Sequence, residues 1–258
     1  LMGVGPLLPW RKATSHHLIQ ALKYPVGASI ATGVILTTFG FRQPVALIAF
    51  ATCSLVVTGI LLEWIRGTRS RHRKGESYPT GFTRLILGNR PRYGGYIVHL
   101  GIMMLAVGAI ASSFYSVQRD FAMSPGDSET LGGYTFRYLN INHSIYSDRE
   151  EDVAEFEVYS NGSKLGIIRP FRAFYPNFRI AATRGAIIST PIEDFYIVPS
   201  ELHRVEQAIF RVLINPMIWW MWASGPIMLL GVIIALWPQR RSSPTTVNIP
   251  NQPSTTEL

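Results

Sequence analysis

The sequence predicts an α-helical integral membrane protein of about four transmembrane helices with an inserted extracytoplasmic β-rich domain. Three observations carry that class. First, four apolar stretches, Tyr24–Phe41, Pro44–Ile65, Tyr93–Tyr115 and Pro216–Trp237, reach or approach the roughly 20 residues that a helix needs to cross a bilayer. Second, the net charge of +8 is gathered in short segments beside these stretches: Arg11, Lys12 and Lys23 before the first, Arg240 and Arg241 after the last, and eight Lys or Arg against Glu76 alone in 66–92. With four crossings all three clusters fall on one side, which the positive-inside rule makes cytoplasmic. Third, residues 116–212 hold thirteen of the sixteen Asp and Glu against ten Lys or Arg, the near balance of a soluble domain.

The elements follow in order along the 258 residues. Residues 1–23 read as a cytoplasmic connector that opens on the end of a preceding helix, so the chain is expected to be a portion of a longer protein. Residues 24–67 form two transmembrane helices joined by the tight turn Gly40-Phe-Arg-Gln-Pro44, with Pro44 suited to a first helical turn. Cys53, the sole cysteine, lies in the second of them and is read as a small apolar residue. Residues 68–92 are a basic cytoplasmic loop, read as an orientation signal rather than a nucleic-acid surface, and 93–115 are a third crossing that bears His99. Residues 116–212 are a periplasmic β-rich domain. Within it 133–141 and 153–159 alternate as half-buried strands do, and Asn161-Gly162 before Leu165–Ile168 is a strong hairpin signal. Ile180–Thr183, Ala186–Thr190 and Phe195–Val198 are further strands. Residues 213–238 are the final crossing, opened by Asn215 as cap and Pro216 at the first helical position. Residues 239–258, rich in Pro, Ser and Thr, are a disordered cytoplasmic tail.

His99 is the candidate functional residue. An ionisable group at membrane depth costs about 2.5–3.5 kcal/mol on insertion scales, so it faces a partner, a cavity or a cofactor. No acid lies in its own helix, and neutral imidazole is the commonest metal-binding side chain. Two readings remain open, a cofactor ligand and a histidine hydrogen-bonded to a neighbouring helix. Gly94, Gly101 and Gly108 recur every seven residues, as small residues do where membrane helices approach closely. A second set, Gly95, His99, Met103 and Ala106, places small residues beside the imidazole, where a flat macrocycle can lie.

His16, His17 and His72 read as solvated and His143 and His203 as surface histidines; Glu150-Glu-Asp152 reads as a solvated loop. Trp219, Trp220 and Trp222 read as an interfacial belt or as an aromatic platform near a haem. Nucleophile motifs, phosphate-cradling loops, zinc spacings and Cys-x-x-Cys-His are absent from the 258 residues.

The string Asn89-Arg-Pro-Arg-Tyr-Gly-Gly-Tyr-Ile-Val-His99-Leu-Gly resembles the motif of the CcmF haem lyase family and its NrfE and CcsA relatives. Gly5-Pro-Leu-Leu-Pro-Trp-Arg11, Ser124-Pro-Gly-Asp-Ser with Gly132-Gly-Tyr-Thr-Phe-Arg137, and Asn215-Pro-Met-Ile-Trp-Trp-Met-Trp222 with Ala235-Leu-Trp-Pro238 resemble further CcmF segments in the same order. The resemblance covers essentially the whole chain but only the C-terminal part of the family's length. It implies cytochrome c-type biogenesis in a bacterial inner membrane, with both termini cytoplasmic. His99, with Gly95 on its face, becomes the axial iron ligand of a transmembrane haem b whose second ligand lies outside this chain. No catalytic residue is assigned here. The substrate haem is expected on a tryptophan-rich WWD segment in an N-terminal half that these residues lack, so the chain alone is expected to be inactive as a holocytochrome c synthase. Implied partners are that half, the haem chaperone CcmE, CcmH/CcmI-type thiol and apocytochrome-handling subunits, apocytochrome c, quinol and the membrane. The alternative is a non-haem membrane-anchored scaffold whose β-domain docks assembly partners while His99 only packs.

Overall fold

Apolar length and turn chemistry set the helical frame. In the computed structural model residues 15–202 and 207–238 are described. Connector residues 1–14, His203, the 239–258 tail and the side chains of His16 and His17 lie outside that description. Helices α1 (Ser15–Thr38), α2 (Pro44–His72), α4 (Arg90–Tyr115) and α5 (Ile218–Leu236) are each long and apolar enough to cross a membrane, and α3 (Tyr78–Gly88) is a short helix between α2 and α4. Exposed Ile30, Val34, Ile48, Leu229 and Leu230 give these helices the apolar outer surface that lipid requires. Gly40, with φ of 92°, ends the α1 turn, and Pro44 opens α2, where its missing N–H is no loss. Thr32 Oγ1 donates to Ser54 Oγ at 2.8 Å across the α1–α2 contact.

The 68–92 segment differs from the loop that its charge implies. Helix α2 continues through Arg66–His72, and α3 occupies Tyr78–Gly88. Arginine is a good helix former, so charge alone does not end α2; the chain turns at Gly75, with φ of 93°. Leu85 lies over Gly67, where a Cβ would come within 2.7 Å of it, and Phe82 meets Trp64 edge-on at 5.6 Å, so α3 folds back along α2. Pro91, in the first turn of α4, separates the two helices at Asn89.

Among the described residues ten strands lie between α4 and α5: β1 (Val117–Met123), β2 (Ser128–Leu131), β3 (Tyr134–Ile145), β4 (Glu150–Ser160), β5 (Ser163–Ile168), β6 (Phe171–Tyr175), β7 (Ile180–Arg184), β8 (Ala186–Ser189), β9 (Glu193–Glu201) and β10 (Ala208–Pro216). They make two antiparallel sheets. One runs β1-β10-β9-β8, and the other runs β2-β3-β4-β6-β7 with β5 also on β4. Period-two side chains from both inner faces, Phe121, Phe136, Tyr138, Phe156, Phe195 and Phe210 among them, fill one core. Asn161 and Gly162, with φ of 48° and 82°, make the two-residue turn between β4 and β5. Ser124-Pro-Gly-Asp127 turns β1 into β2: Gly126 takes φ of 101° and the Asp127 N–H donates to the Ser124 carbonyl at 3.0 Å.

Two expectations are corrected within the domain. Glu150-Glu-Asp152 is the start of β4, paired with both β3 and β6, rather than a loop; Glu151 meets Arg149 at 3.0 Å and Asp152 meets His143 at 2.7 Å. Asn215 and Pro216 finish β10 opposite Asp194 and Glu193 and do not cap α5. Met217, at φ of 58°, makes the strand-to-helix turn instead, and its N–H donates to the Ile192 carbonyl at 2.7 Å. A proline tolerates a strand end as readily as a first helical turn, so the residue type did not decide.

Strands β1 and β10 are paired from Val117↔Ile214 to Met123↔Ala208, and each runs directly into a membrane helix, α4 or α5. The two helices therefore leave the sandwich side by side and stay packed. A Cβ on Gly94 would lie 2.6 Å from the Ala235 nitrogen and 2.7 Å from the Gly231 oxygen. One on Gly101 would meet Met228 at 2.5 Å, and one on Gly108 would meet Met221 at 2.5 Å. The seven-residue glycine spacing is the α4–α5 seam.

Gly94→Val in the detergent-solubilised chain is expected to destabilise it by about 1–3 kcal/mol, because backbone cannot yield as a side chain does. Gly33→Ala, in open space, is expected to be neutral. Thermal unfolding followed by size-exclusion chromatography checks both, and equal midpoints contradict the seam.

Burial, and Glu193 beside it, push the Tyr134 phenol up to about 12 from an ordinary 10.0; burial, with Asp152 adding, does the same at Tyr138. A raised folded pKa stabilises the fold fully below the ordinary value, and this is lost as pH rises through the folded one. The sandwich is therefore expected to hold to pH 10 and weaken between 10 and 12. Tyrosinate absorbance and circular dichroism against pH check it, with tyrosinate formation and unfolding expected together.

Candidate functional site

Helix α4 spends its faces unequally. Gly94, Gly101 and Gly108 meet α5. Tyr93 and Tyr96 join Val56 and Ile60 of α2 in a buried cluster, with Leu100 and Met103 packed against it. By helical periodicity Gly95, His99, Ile102 and Ala106 share the remaining face. Met103, grouped with His99 by spacing, belongs instead to the α2 contact.

His99 is half-buried on that third face. No hydrogen bond or ion pair engages its imidazole among the described residues, so the ring is left open to a ligand there. One turn earlier, a Cβ on Gly95 would meet nothing within 4 Å. Of the adjacent pair, Gly94 is packed and Gly95 is open. No group of three His, Cys, Asp or Glu side chains that could hold a metal ion occurs among the described residues. Among the described residues the donors fit a cofactor that takes a single nitrogen from this chain.

Both ends of α4 are anchored. At the charged end Arg92 donates to Glu63 of α2 at 2.8 Å and to the Tyr96 hydroxyl at 2.9 Å, while Arg90 donates to the Pro238 carbonyl beyond α5 at 3.0 Å. Glu63 and Glu76 are the only acids before Asp120, and both are ion-paired, Glu76 with Arg71 and Arg84. Their scarcity in a basic stretch was the available signal for these anchors, and spacing alone did not single them out. At the other end Tyr115 meets Phe41 edge-on at 4.7 Å, and Trp220 Nε1 donates to the Pro191 carbonyl at 2.9 Å, tying α5 to the sandwich. Trp219 and Trp222 are exposed, as an interfacial belt requires. An apolar cavity of about 480 Å³ lies between α1, α2, α4 and this junction; buried Cys53 lines it as a small apolar residue, beside Phe41, Ala111, Tyr115 and Met217.

The other described histidines are engaged elsewhere. His72 Nδ1 lies 2.8 Å from the Glu76 carbonyl oxygen and its ring stacks on Tyr78, and His143 pairs with Asp152. In the sandwich, Arg211 holds exposed Asp120 below the ordinary carboxylate range through hydrogen bonds of 2.9 and 3.2 Å across the β1–β10 ladder.

The fold and site define a multi-span membrane protein in which an antiparallel β-sandwich is inserted between two packed helices, one carrying an unengaged histidine. Residues 114–216 match the CcmF C-terminal β-sandwich family. The chain is 26% identical over 247 residues to the cytochrome c-type biogenesis protein CcmF of Haemophilus influenzae, covering 93% of this chain and 36% of that protein. It is 27% identical over 240 residues to CcmF of Pseudomonas aeruginosa, covering 93% and 35%. NrfE of Haemophilus influenzae is 27% identical over 150 residues, 58% of this chain and 24% of that protein. A solved structure of the cytochrome c heme lyase CcmF superposes with a TM-score of 0.69 at 23% identity over 92% of this chain and 38% of that one, a likeness of fold. Over most of its length the chain is similar to CcmF-type cytochrome c-type biogenesis proteins, with the CcmF C-terminal β-sandwich at residues 114–216, and it spans about a third of the length of the relatives it matches.

Because nothing described is bonded to the imidazole, His99→Ala is expected to change the stability of the isolated chain by less than about 0.5 kcal/mol. Chemical unfolding in detergent checks this, and a loss above about 2 kcal/mol identifies a structural hydrogen bond instead.

Proposed function

We propose that this chain supplies one wall of a transmembrane b-type haem site in a haem lyase that attaches haem to apocytochrome c. The observation that carries the reading is the unengaged His99 on the one face of α4 that neither α5 nor α2 occupies. A group that costs a few kcal/mol in lipid and is bonded to nothing nearby calls for a ligand from outside this chain. The packing-only alternative needs a partner on a neighbouring helix, and the described residues offer none.

Neutral imidazole presents a nitrogen lone pair to iron, and Gly95 one turn away keeps the approach clear. His99 lies nine residues from Arg90 and sixteen from Tyr115, about 14 Å and 24 Å along the axis, so it sits nearer the charged end. Haem bound there would supply one-electron redox chemistry, its potential tuned by axial ligation and low dielectric. The chain's own residues hold and orient. The glycine seam fixes the rotation of α4, and the Arg92–Glu63 and Arg90–Pro238 contacts fix its depth.

Orientation follows from charge. Arg66, Arg69, Arg71, Arg73 and Arg84 cluster at the end of the bundle opposite the sandwich, so the positive-inside rule makes that end cytoplasmic and 116–212 periplasmic in a bacterial inner membrane. The second axial ligand, the WWD segment for substrate haem, CcmE, CcmH/CcmI-type subunits, apocytochrome c and quinol belong to the reading as components and partners outside these residues.

The test is the Soret and reduced-minus-oxidised spectrum of the complete protein with and without His99→Ala. The b-type signal is expected to fall to background while the protein still accumulates. A signal undiminished by the substitution overturns the assignment.

A further inference from the structure

The charged end of α2 carries a second feature, independent of His99. At 29 residues α2 is about 43 Å long, against a hydrocarbon thickness of about 30 Å, so its last turns project to the headgroup layer. There α3 folds back beside it and leaves a groove of about 560 Å³ walled by Leu61, Trp64, Ile65, Thr68, Arg69 and Phe82, with Tyr78 at its rim.

The chemistry of the walls is one-sided. Every polar side chain on them can donate a hydrogen bond, and none is a carboxylate. Trp64 Nε1 and Thr68 Oγ1 are covered from solvent and have no partner among the described residues. Arg69 is exposed and in no ion pair among those residues, although Arg71 and Arg84 beside it share Glu76 and Arg92 takes Glu63. The apolar side of the groove, Leu61 and Ile65, is exposed and continues onto the lipid-facing surface of α2. A soluble anion would satisfy the donors and leave that apolar wall bare.

We propose that the α2–α3 groove binds an anionic membrane phospholipid, its phosphodiester on Arg69 with Thr68 and Trp64 donating, and an acyl chain along Leu61 and Ile65. A guanidinium beside hydroxyl and indole donors suits a phosphate oxygen, and charge-assisted hydrogen bonds of this kind are the strong ones. The bound lipid would brace α3 against α2 at the end of the bundle where α4 begins.

The experiment is native mass spectrometry of the detergent-purified chain titrated with phosphatidylglycerol, phosphatidylcholine or inorganic phosphate. The wild type is expected to retain phosphatidylglycerol in preference to phosphatidylcholine, and phosphate at equal concentration is expected not to displace it. Arg69→Gln should weaken retention about tenfold, and Arg73→Gln, which removes an exposed charge nearby, less than about twofold. Thr68→Val and Trp64→Phe carry the same comparison if Arg69→Gln fails to fold, and each should weaken retention about threefold or more. Equal loss in Arg69→Gln and Arg73→Gln, equal retention of phosphatidylcholine, or full displacement by phosphate overturns the proposal. The first outcome means a diffuse basic surface, the second a non-selective annulus and the third a soluble-anion site.

Discussion

Backbone-to-backbone contact between α4 and α5 is the constraint on which the rest of the molecule depends. Gly94 and Gly231 face each other so closely that a Cβ on either would come within 2.7–2.8 Å of the other's carbonyl oxygen. Membrane helices gain little from the hydrophobic effect against one another, so such contact supplies the dispersion that holds them together. The seam is continuous with the β1–β10 ladder, which makes one long antiparallel pair running from the sandwich through the bilayer. The domain is thereby carried rigidly on two helices rather than tethered by loops.

The same seam decides what α4 has left to offer. With one face on α5 and a tyrosine-rich face on α2, the face bearing Gly95 and His99 is what remains for a ligand. Electrostatics then fix the helix lengthwise. Two acids in a strongly basic stretch are each placed against arginine, Glu63 on Arg92 and Glu76 on Arg71 and Arg84, which leaves Arg69 in no ion pair among the described residues. The proposed haem site would need both controls, because a ligand displaced or rotated by an ångström no longer meets the iron squarely.

Much of this was legible in the residues, for physical reasons. Asn161-Gly162 between alternating runs has few alternatives to a tight hairpin, and glycines every seven residues in an apolar helix have few alternatives to a close seam. The sites that misled were those where one residue type serves two geometries. Arginine reads as loop by charge yet extends α2 by propensity, and Asn215-Pro216 ends a strand as readily as it starts a helix. Strand β1 escaped notice because its side chains are largely exposed, so the sequence carries little alternation there. Met103 followed helical spacing to the wrong face, because periodicity groups residues by angle and only packing shows where one face ends. For His99, residue type and depth gave the candidate, and only the occupied faces around it showed that it stands unengaged.

On the proposed reading His99 presents its imidazole to iron from the unoccupied face of α4. Chemical rescue in the complete protein tests it most directly: the reduced-minus-oxidised b-type spectrum of His99→Gly, recorded with and without added imidazole. The signal is expected to be lost in the variant and to return with imidazole, since the cavity left by the side chain readmits the same ligand atom. A full b-type signal in the variant without imidazole would contradict it.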